Sequence, residues 1–111
     1  MNLGSDFNVL NNNSQSSTAY TLVLSDVGRV VEGNNGSAIT FTIPPVSLVA
    51  WPVGAALKVF QQGAGQITIA PGSGVTLRSD GGKLKTAGQY AVIDLRMRAN
   101  DEWVVSGDTA A

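Results

Sequence analysis

The chain has 111 residues, including 13 glycines, no cysteine and no histidine, and its formal net charge is −1. This length suits one domain with one hydrophobic core. The missing cysteines exclude disulfides and thiolate chemistry, and the missing histidines remove the commonest general base and metal ligand. Because only 14% of residues are charged, we expect neither nucleic acid nor an anionic membrane as a partner.

The first 18 residues differ from the rest of the chain. The polar run NNNSQSST (residues 11–18) predicts a linker. Ahead of it is a sparse apolar set without strand or helix periodicity: Leu3, Phe7, Val9 and Leu10. A frayed terminus would explain this segment. We favour an arm that docks its apolar side chains on a neighbouring molecule, since a fully extended segment of this length reaches about 60 Å.

No apolar run approaches the roughly 20 residues of a membrane span. The N-terminal MNLGSDFNVL has no basic flank and no apolar stretch before a small-residue cleavage site. We therefore expect neither a transmembrane segment nor a signal peptide. The predicted organisation is an N-terminal arm and linker over residues 1–18 and a β-domain over residues 19–111.

Short strands and turns follow from residue 19 onward. The clearest alternation is Ile39, Phe41 and Ile43 with Thr40 and Thr42, and Pro44–Pro45 should end that strand. Eight strands are predicted, at residues 20–24, 29–32, 39–43, 55–62, 66–70, 75–78, 89–98 and 103–106. No sustained helical period occurs. The pattern predicts an all-β fold, a compact antiparallel β-sandwich or small jelly-roll-like barrel of about eight short strands.

Two predicted strands are partly apolar on both faces. Phe60 lies on the face opposite Leu57 and Val59, and Tyr90 lies on the face opposite Ile93. Strands of this kind are usually covered on both sides, although scattered exposed aromatic residues are also common. We expect the second cover to be another subunit, which makes the protein an oligomer.

The glycine-rich stretch GAGQITIAPGSGVTL (residues 63–77) raises the question of a phosphate-binding loop. A P-loop needs Lys-Ser/Thr after its last glycine and a following helix, and a dinucleotide fingerprint needs a βαβ unit. Neither context is present, so these glycines are predicted to form hairpin corners, as is GNNGS (residues 33–37). We expect no cofactor. Lys83, with Arg78 and Lys85 near it, indicates a solvated turn more than a basic site.

Catalysis is also not expected. Without His or Cys no nucleophilic triad can form, and no serine lies in G-x-S-x-G. The acidic residues fall mostly in turns or at strand ends, except Asp94, whose mid-strand position is explained by an i, i+2 pair with Arg96. Trp103 is predicted in the core. Trp51 is open to two interpretations, core or subunit contact, and a sugar platform there would lack a second aromatic ring.

The order of landmarks along the chain resembles a known family. The segments AYTLVLSDVGRVVE, TIPP, WPVG, QQGAGQITIAPGSGVTL, GGKLKTAGQYAV and DEWVVSGD are similar to a β-domain of tailed-bacteriophage virion proteins. That domain occurs in small capsid decoration (cement) proteins and as a knob module in tail-fibre and other structural proteins. The resemblance covers about residues 19–108, and the family usually has Phe where this chain has Trp51.

The resemblance implies two functions. The first is a homotrimeric cement protein on the outer surface of the phage head, assembled in the bacterial cytoplasm, that clamps subunits of the major capsid protein. The second is a tail or fibre module that binds a host surface glycan. The first is favoured, with the interface predicted at Leu3, Phe7, Val9, Leu10, Trp51, Phe60 and Tyr90. Deleting residues 1–18 should then weaken capsid attachment and leave the β-domain folded.

Overall fold

The computed structural model describes residues 11–111. These residues form eleven strands: β1 (Asn12–Gln15), β2 (Ala19–Thr21), β3 (Val30–Gly33), β4 (Ile39–Ile43), β5 (Ala56–Gln61), β6 (Ile67–Pro71), β7 (Thr76–Ser79), β8 (Lys85–Thr86), β9 (Val92–Ala99), β10 (Glu102–Gly107) and β11 (Thr109–Ala110). The helical content of this part of the chain is two single 3₁₀ turns, Leu24–Asp26 and Asp80–Gly82.

The strands form two sheets, which confirms the all-β prediction. Sheet A has the order β1-β3-β5-β9-β10-β7, and sheet B has the order β11-β8-β6-β4-β2. Eight of the eleven strands match the eight predicted ones. The additional strands, β1, β8 and β11, have two to four residues each. They were missed because so short a segment shows no apolar alternation.

The pairing within the sheets is mixed, so the prediction of an antiparallel sandwich is wrong in this respect. Five of the nine strand pairings in residues 11–111 are parallel, including β1–β3, β3–β5, β2–β4 and β4–β6. From β1 to β6 the chain places successive strands alternately in sheet A and sheet B. The chain runs up one sheet, crosses over, runs down the other sheet and crosses back. It therefore enters each sheet from the same end every time, which makes neighbouring strands parallel.

The same route corrects the predicted hairpins. GNNGS joins β3 to β4, and the PGSGV segment joins β6 to β7, and in both cases the two strands lie in different sheets. These glycine-rich segments are therefore crossovers between sheets. Ile67, Ile69 and Val75 of this stretch are buried in the core. A tight hairpin joins β9 to β10 through Asn100 and Asp101.

The linker prediction for residues 11–18 is also corrected in part. Residues 12–15 form β1, which pairs in parallel with β3 at one edge of sheet A. The polar residues fit this position because β1 buries little apolar surface and instead contributes side-chain hydrogen bonds, such as those of Asn13. The first ten residues lie outside the described part of the chain.

The core lies between the sheets. In β4, Ile39, Phe41 and Ile43 point inward and alternate with outward threonines, as predicted. From sheet A, alternating residues of β5, β9 and β10 meet them, with Trp103 fully buried. Burying large side chains of this kind contributes roughly 1.5–3 kcal/mol each. The inward-facing side chains of these strands form the core, and the outward-facing side chains form the surface of each sheet.

The two ends of the sandwich differ. The proximal end is where β1, β3 and β5 begin, and its connections include residues 22–29, 44–55 and 72–75 and the Asn100–Asp101 turn. Asp101 organises this end, because its Oδ1 accepts a hydrogen bond from Val46 N at 2.7 Å and its carbonyl accepts one from Thr76 N at 2.9 Å. The distal end is the opposite one and includes residues 62–66 and 87–91.

Candidate functional site

Because side chains alternate along β5, β9 and β10, every second residue of these strands lies on the outer face of sheet A. The residues on this face are Lys58, Phe60, Val92, Asp94, Arg96, Arg98, Glu102, Val104 and Ser106, and each alternates with buried neighbours. The register aligns them in rows across the sheet. One row contains Lys58, Asp94 and Ser106, and the next contains Ala56, Arg96 and Val104.

These two rows form the floor and walls of a groove of about 390 Å³. Ala56 and Val104 flank Arg96 and supply apolar surface, and Arg29 lies on the β3 side of the groove. The volume falls within the range of roughly 300–1,000 Å³ found for small-molecule sites. We call this feature the sheet A groove.

The outer face of sheet A is basic. It has five basic residues (Arg29, Lys58, Arg78, Arg96 and Arg98) and three acidic ones (Glu32, Asp94 and Glu102), although the whole chain is slightly acidic. Such a local excess of one sign favours approach of a ligand with the opposite charge.

The charged side chains of this face form three ion pairs. Lys58 Nζ lies 2.6 Å from Asp94 Oδ1. Glu102 accepts from Arg78 Nε at 3.1 Å and from Arg98 at 2.9 Å. The hydrogen bond from Arg78, together with that from Arg98, lowers the pKa of Glu102 below its ordinary value. Asp94 was predicted to pair with Arg96, which is wrong, because the directly opposed residue across the β5–β9 pair is Lys58.

Two arginines of the groove differ from the others. Among residues 11–111, neither Arg29 nor Arg96 has a carboxylate within ion-pairing distance. Arg96 is exposed and Arg29 is half-buried. The groove therefore presents the exposed guanidinium group of Arg96, whose hydrogen-bond donors are available to a ligand carboxylate, and Arg29 also lines it.

Phe60 and Tyr90, two of the predicted interface residues, are in contact with each other. Their rings stack with centroids 6.3 Å apart and an interplanar angle of 25°. Tyr90 is 62% exposed. Phe60 lies two residues beyond Lys58 on the same face of β5, so this aromatic pair continues the sheet A groove toward the distal end.

Tyr90 has an unusual backbone conformation. Its φ is +71°, in the left-handed region, and it occupies the third position of a turn closed by the hydrogen bond from Ala91 N to the Gly88 carbonyl. A positive φ at this position fits a type II turn, which normally has glycine or asparagine there. Strain at an exposed aromatic residue of this kind is characteristic of binding sites.

Trp51 is a core residue, which corrects its candidacy for an interface or a sugar platform. It is 4% exposed, its Nε1 donates to the Pro44 carbonyl at 2.9 Å, and its ring contacts Trp103 edge to face at 5.2 Å. The proline-rich connection folds back over the sandwich and buries this side chain. The other candidates, Leu3, Phe7, Val9 and Leu10, lie outside the described residues.

A second candidate surface lies at the proximal end. Of the five large exposed apolar residues among residues 11–111, four lie in the connections at that end, namely Val23, Leu24, Leu48 and Val53. Leu48 is 77% exposed. We call this set the proximal apolar cluster. The chain enters β1 at the same end, where the Asn11 carbonyl accepts a hydrogen bond from Val30 N.

A buried carboxylate near this end has a structural role. Asp26 is fully buried and accepts hydrogen bonds from Asn13 Nδ2, Tyr20 OH and Val23 N at 2.7–3.0 Å. Burial, with the hydrogen bond to Asp26, raises the pKa of Tyr20 to about 12. Three donors satisfy the carboxylate and hold β1, β2 and the 3₁₀ turn together.

Sequence reasoning named Phe60 and Tyr90 as separate interface candidates, but it predicted neither their contact nor the groove. Period-2 alternation predicted that Lys58, Asp94 and Arg96 share a face with aromatic residues. It did not indicate that β9 lies between β5 and β10, and that neighbour relation is what assembles the groove.

No protein-family model and no curated protein matches this chain. Among residues 11–111, no helix has the length and apolar character needed to cross a lipid bilayer. Over the same span, no three His, Cys, Asp or Glu side chains form a potential metal-binding group. Function therefore has to be inferred from the surfaces described above and from the sequence landmarks.

Proposed function

We propose that this chain is a non-enzymatic structural protein of a tailed-phage virion, a capsid decoration protein that forms a homotrimer on the outer surface of the head and binds the major capsid protein. The observation that supports this proposal most directly is the proximal apolar cluster. It exposes four large apolar side chains at the end where the chain enters from its N-terminal ten residues. Apolar patches on a small domain usually mark contacts with another protein.

The cluster and the N-terminal segment together suit attachment to a flat protein shell. Leu48 and Val53 come from one connection and Val23 and Leu24 from another, and both connections lie at the proximal end. Leu3, Phe7, Val9 and Leu10 precede β1 in the sequence. An arm with these residues would extend the contact beyond the end of the sandwich.

Attachment to phage heads tests this proposal. Heads assembled without this protein are mixed with the wild type or with the double variant Leu48→Asp, Val53→Asp, and bound protein is measured after sedimentation. We expect the double variant to bind at least about tenfold more weakly, because two buried charges cost far more than the apolar contact they replace. The matched control is Ala64→Asp, Ala87→Asp, which adds the same charges at exposed positions of the distal end.

The control variant should bind heads as the wild type does. Equal binding by both double variants would exclude the proximal apolar cluster as the attachment surface. A wild type that sediments as a monomer and does not bind heads would overturn the decoration function.

A second candidate function is a glycan-binding module of the tail or a fibre. The specific observation in its favour is the exposed, strained Tyr90 stacked on Phe60, since aromatic faces are suited to packing against the apolar face of a sugar ring. With Trp51 in the core, Tyr90 is the residue to test. The variant Tyr90→Gly, whose residue accepts the positive φ without strain, should abolish binding on a glycan array and remain folded. Unchanged binding would exclude the aromatic pair as the platform.

A further inference from the structure

The sheet A groove lies over strands whose backbone groups are already paired. β5 pairs with β3 and β9, β9 with β5 and β10, and β10 with β9 and β7. A ligand in the groove therefore meets side chains and has no free strand edge to extend. Peptides that bind β-sheets commonly do so by adding a strand at an edge, and the groove does not offer that mode.

The side chains of the groove provide three kinds of interaction in sequence along β5. Arg29 and Arg96 lie at the end nearest Ala56 and have no carboxylate partner among residues 11–111. Lys58, Asp94 and Ser106 form the next row and include both donors and acceptors. The Phe60–Tyr90 pair follows. From Ala56 to Phe60 the strip extends about 13 Å.

A ligand that matches this order has a carboxylate at one end, hydroxyl groups that both donate and accept in the middle, and an apolar ring face at the other end. Arginine binds carboxylates in a bidentate manner. The Lys58–Asp94 pair is held at 2.6 Å and is preorganised for hydroxyl groups. Ala56 and Val104 lie beside Arg96 and offer apolar surface to the carbon skeleton of a sugar.

We propose that the sheet A groove binds a carboxylate-bearing oligosaccharide of the uronic acid type, with the carboxylate at Arg29 and Arg96 and a sugar ring on Phe60 and Tyr90. This inference rests on the second proposed function, glycan binding, and names the ligand class and the site. It is separate from the proximal apolar cluster, which lies at the end of the sandwich and not on the face of sheet A.

Titration calorimetry with the whole chain tests the proposal. The probes are a galacturonic acid tetramer and its fully methyl-esterified form, which has the same sugar skeleton without charge. The variants are Arg96→Gln in the groove and Arg98→Gln as the matched control. Arg98 lies two residues away on the same face of the same strand but is paired with Glu102. Both variants remove one positive charge from an exposed position, so neither should affect folding.

We expect the acidic tetramer to bind the wild type and the esterified tetramer to bind at least about tenfold more weakly. Arg96→Gln should lower the affinity for the acidic tetramer by about tenfold or more, because a bidentate contact is lost. Arg98→Gln should lower the same affinity by less than about twofold, since no such contact is lost. Arg29→Gln should resemble Arg96→Gln.

Three results would overturn the inference. Equal losses of affinity for the acidic tetramer in Arg96→Gln and Arg98→Gln would show that only general charge attraction holds the ligand. If both tetramers bind the wild type equally and neither binds Tyr90→Gly, the groove has no specificity for acidic sugars. Glycan binding at the aromatic pair would still stand. Failure of both tetramers to bind, with tight binding of a tetraglutamate peptide that depends on Arg96, would assign the groove to an acidic protein segment.

Discussion

Asp26 stabilises the region where β1, β2 and the 3₁₀ turn meet, although in the sequence it is only a polar residue in a turn. Its carboxylate is removed from water and accepts three hydrogen bonds, from β1, β2 and the turn that contains it. A buried charge is tolerated only when it is hydrogen-bonded in this way. Removing the acceptor therefore leaves three partly buried donors without this partner.

We expect Asp26→Ala to lower the free energy of unfolding by about 2–4 kcal/mol, because the donors of Asn13, Tyr20 and Val23 lose a charged acceptor. Urea denaturation measures this change. Asp80→Ala is the control, since Asp80 is exposed, and its effect should stay within about 0.5 kcal/mol. Equal effects of the two substitutions would contradict the role assigned to Asp26.

The raised pKa of Tyr20 predicts a pH dependence of stability in the alkaline range. The folded value is about 12 and the ordinary value is 10.0, so between these values the folded chain binds more protons than the unfolded chain. The stabilisation from neutral Tyr20 is complete below pH 10 and is lost as the pH rises through about 12. The wild type should therefore lose more stability than Tyr20→Phe between pH 9 and pH 11 in urea titrations. Parallel pH profiles would refute this expectation.

At the scale of elements, the parallel pairing of β3 with β5 and of β4 with β6 brings the connections between the sheets close together. The crossover after β5 lies directly against the crossover after β3. A Cβ at Gly65 would lie 1.9 Å from the Ser37 carbonyl oxygen, and one at Gly63 would lie 2.7 Å from the Asn35 carbonyl oxygen. The glycines of GAGQ thus allow close backbone-to-backbone contact between the two crossovers.

Gly65→Ala should therefore lower the free energy of unfolding by about 2 kcal/mol or more, since the added methyl group meets backbone that cannot move independently. Gly36→Ala is the matched control in the neighbouring crossover, where a Cβ meets no atom within 4 Å. Its effect should lie within about 0.5 kcal/mol of zero or be slightly stabilising. Thermal and urea unfolding of both variants distinguish the two cases.

For the whole molecule, the boundary of the folded unit lies earlier than residue 19. β1 adds a strand to sheet A, and Asn13 Nδ2 donates to Tyr20 OH at 2.9 Å and to Asp26 at 2.8 Å. The expectation that residues 1–18 can be deleted without cost to the domain therefore needs revision. A deletion that keeps β1 has to end before Asn12.

We expect a chain that begins at residue 11 to keep the unfolding free energy of the full chain within about 0.5 kcal/mol, whereas a chain that begins at residue 19 should lose about 2–4 kcal/mol through the missing β1 ladder and the missing Asn13 bonds. Urea denaturation of the three lengths measures this. Equal losses for both truncations would show that the first ten residues contribute to the core. Head binding of the chain that begins at residue 11 then reports on the contribution of the first ten residues.

The sequence by itself determined eight of the eleven strands of residues 11–111 and the faces that the clearest of them bury. Alternation placed Ile39, Phe41 and Ile43 inward, and missing motif residues excluded a nucleotide loop at residues 63–77. These properties are local, because a side chain's face depends only on its position along its own strand.

Only the tertiary structure decided which strands are neighbours and which loops close over the core. Alternation is the same for a strand in a hairpin and for one in a crossover, so it could not distinguish parallel from antiparallel pairing. Trp51 became a core residue because its loop folds back over the sandwich, and the sheet A groove exists because β9 lies between β5 and β10. Both depend on contacts between residues far apart in the chain, which no local pattern encodes.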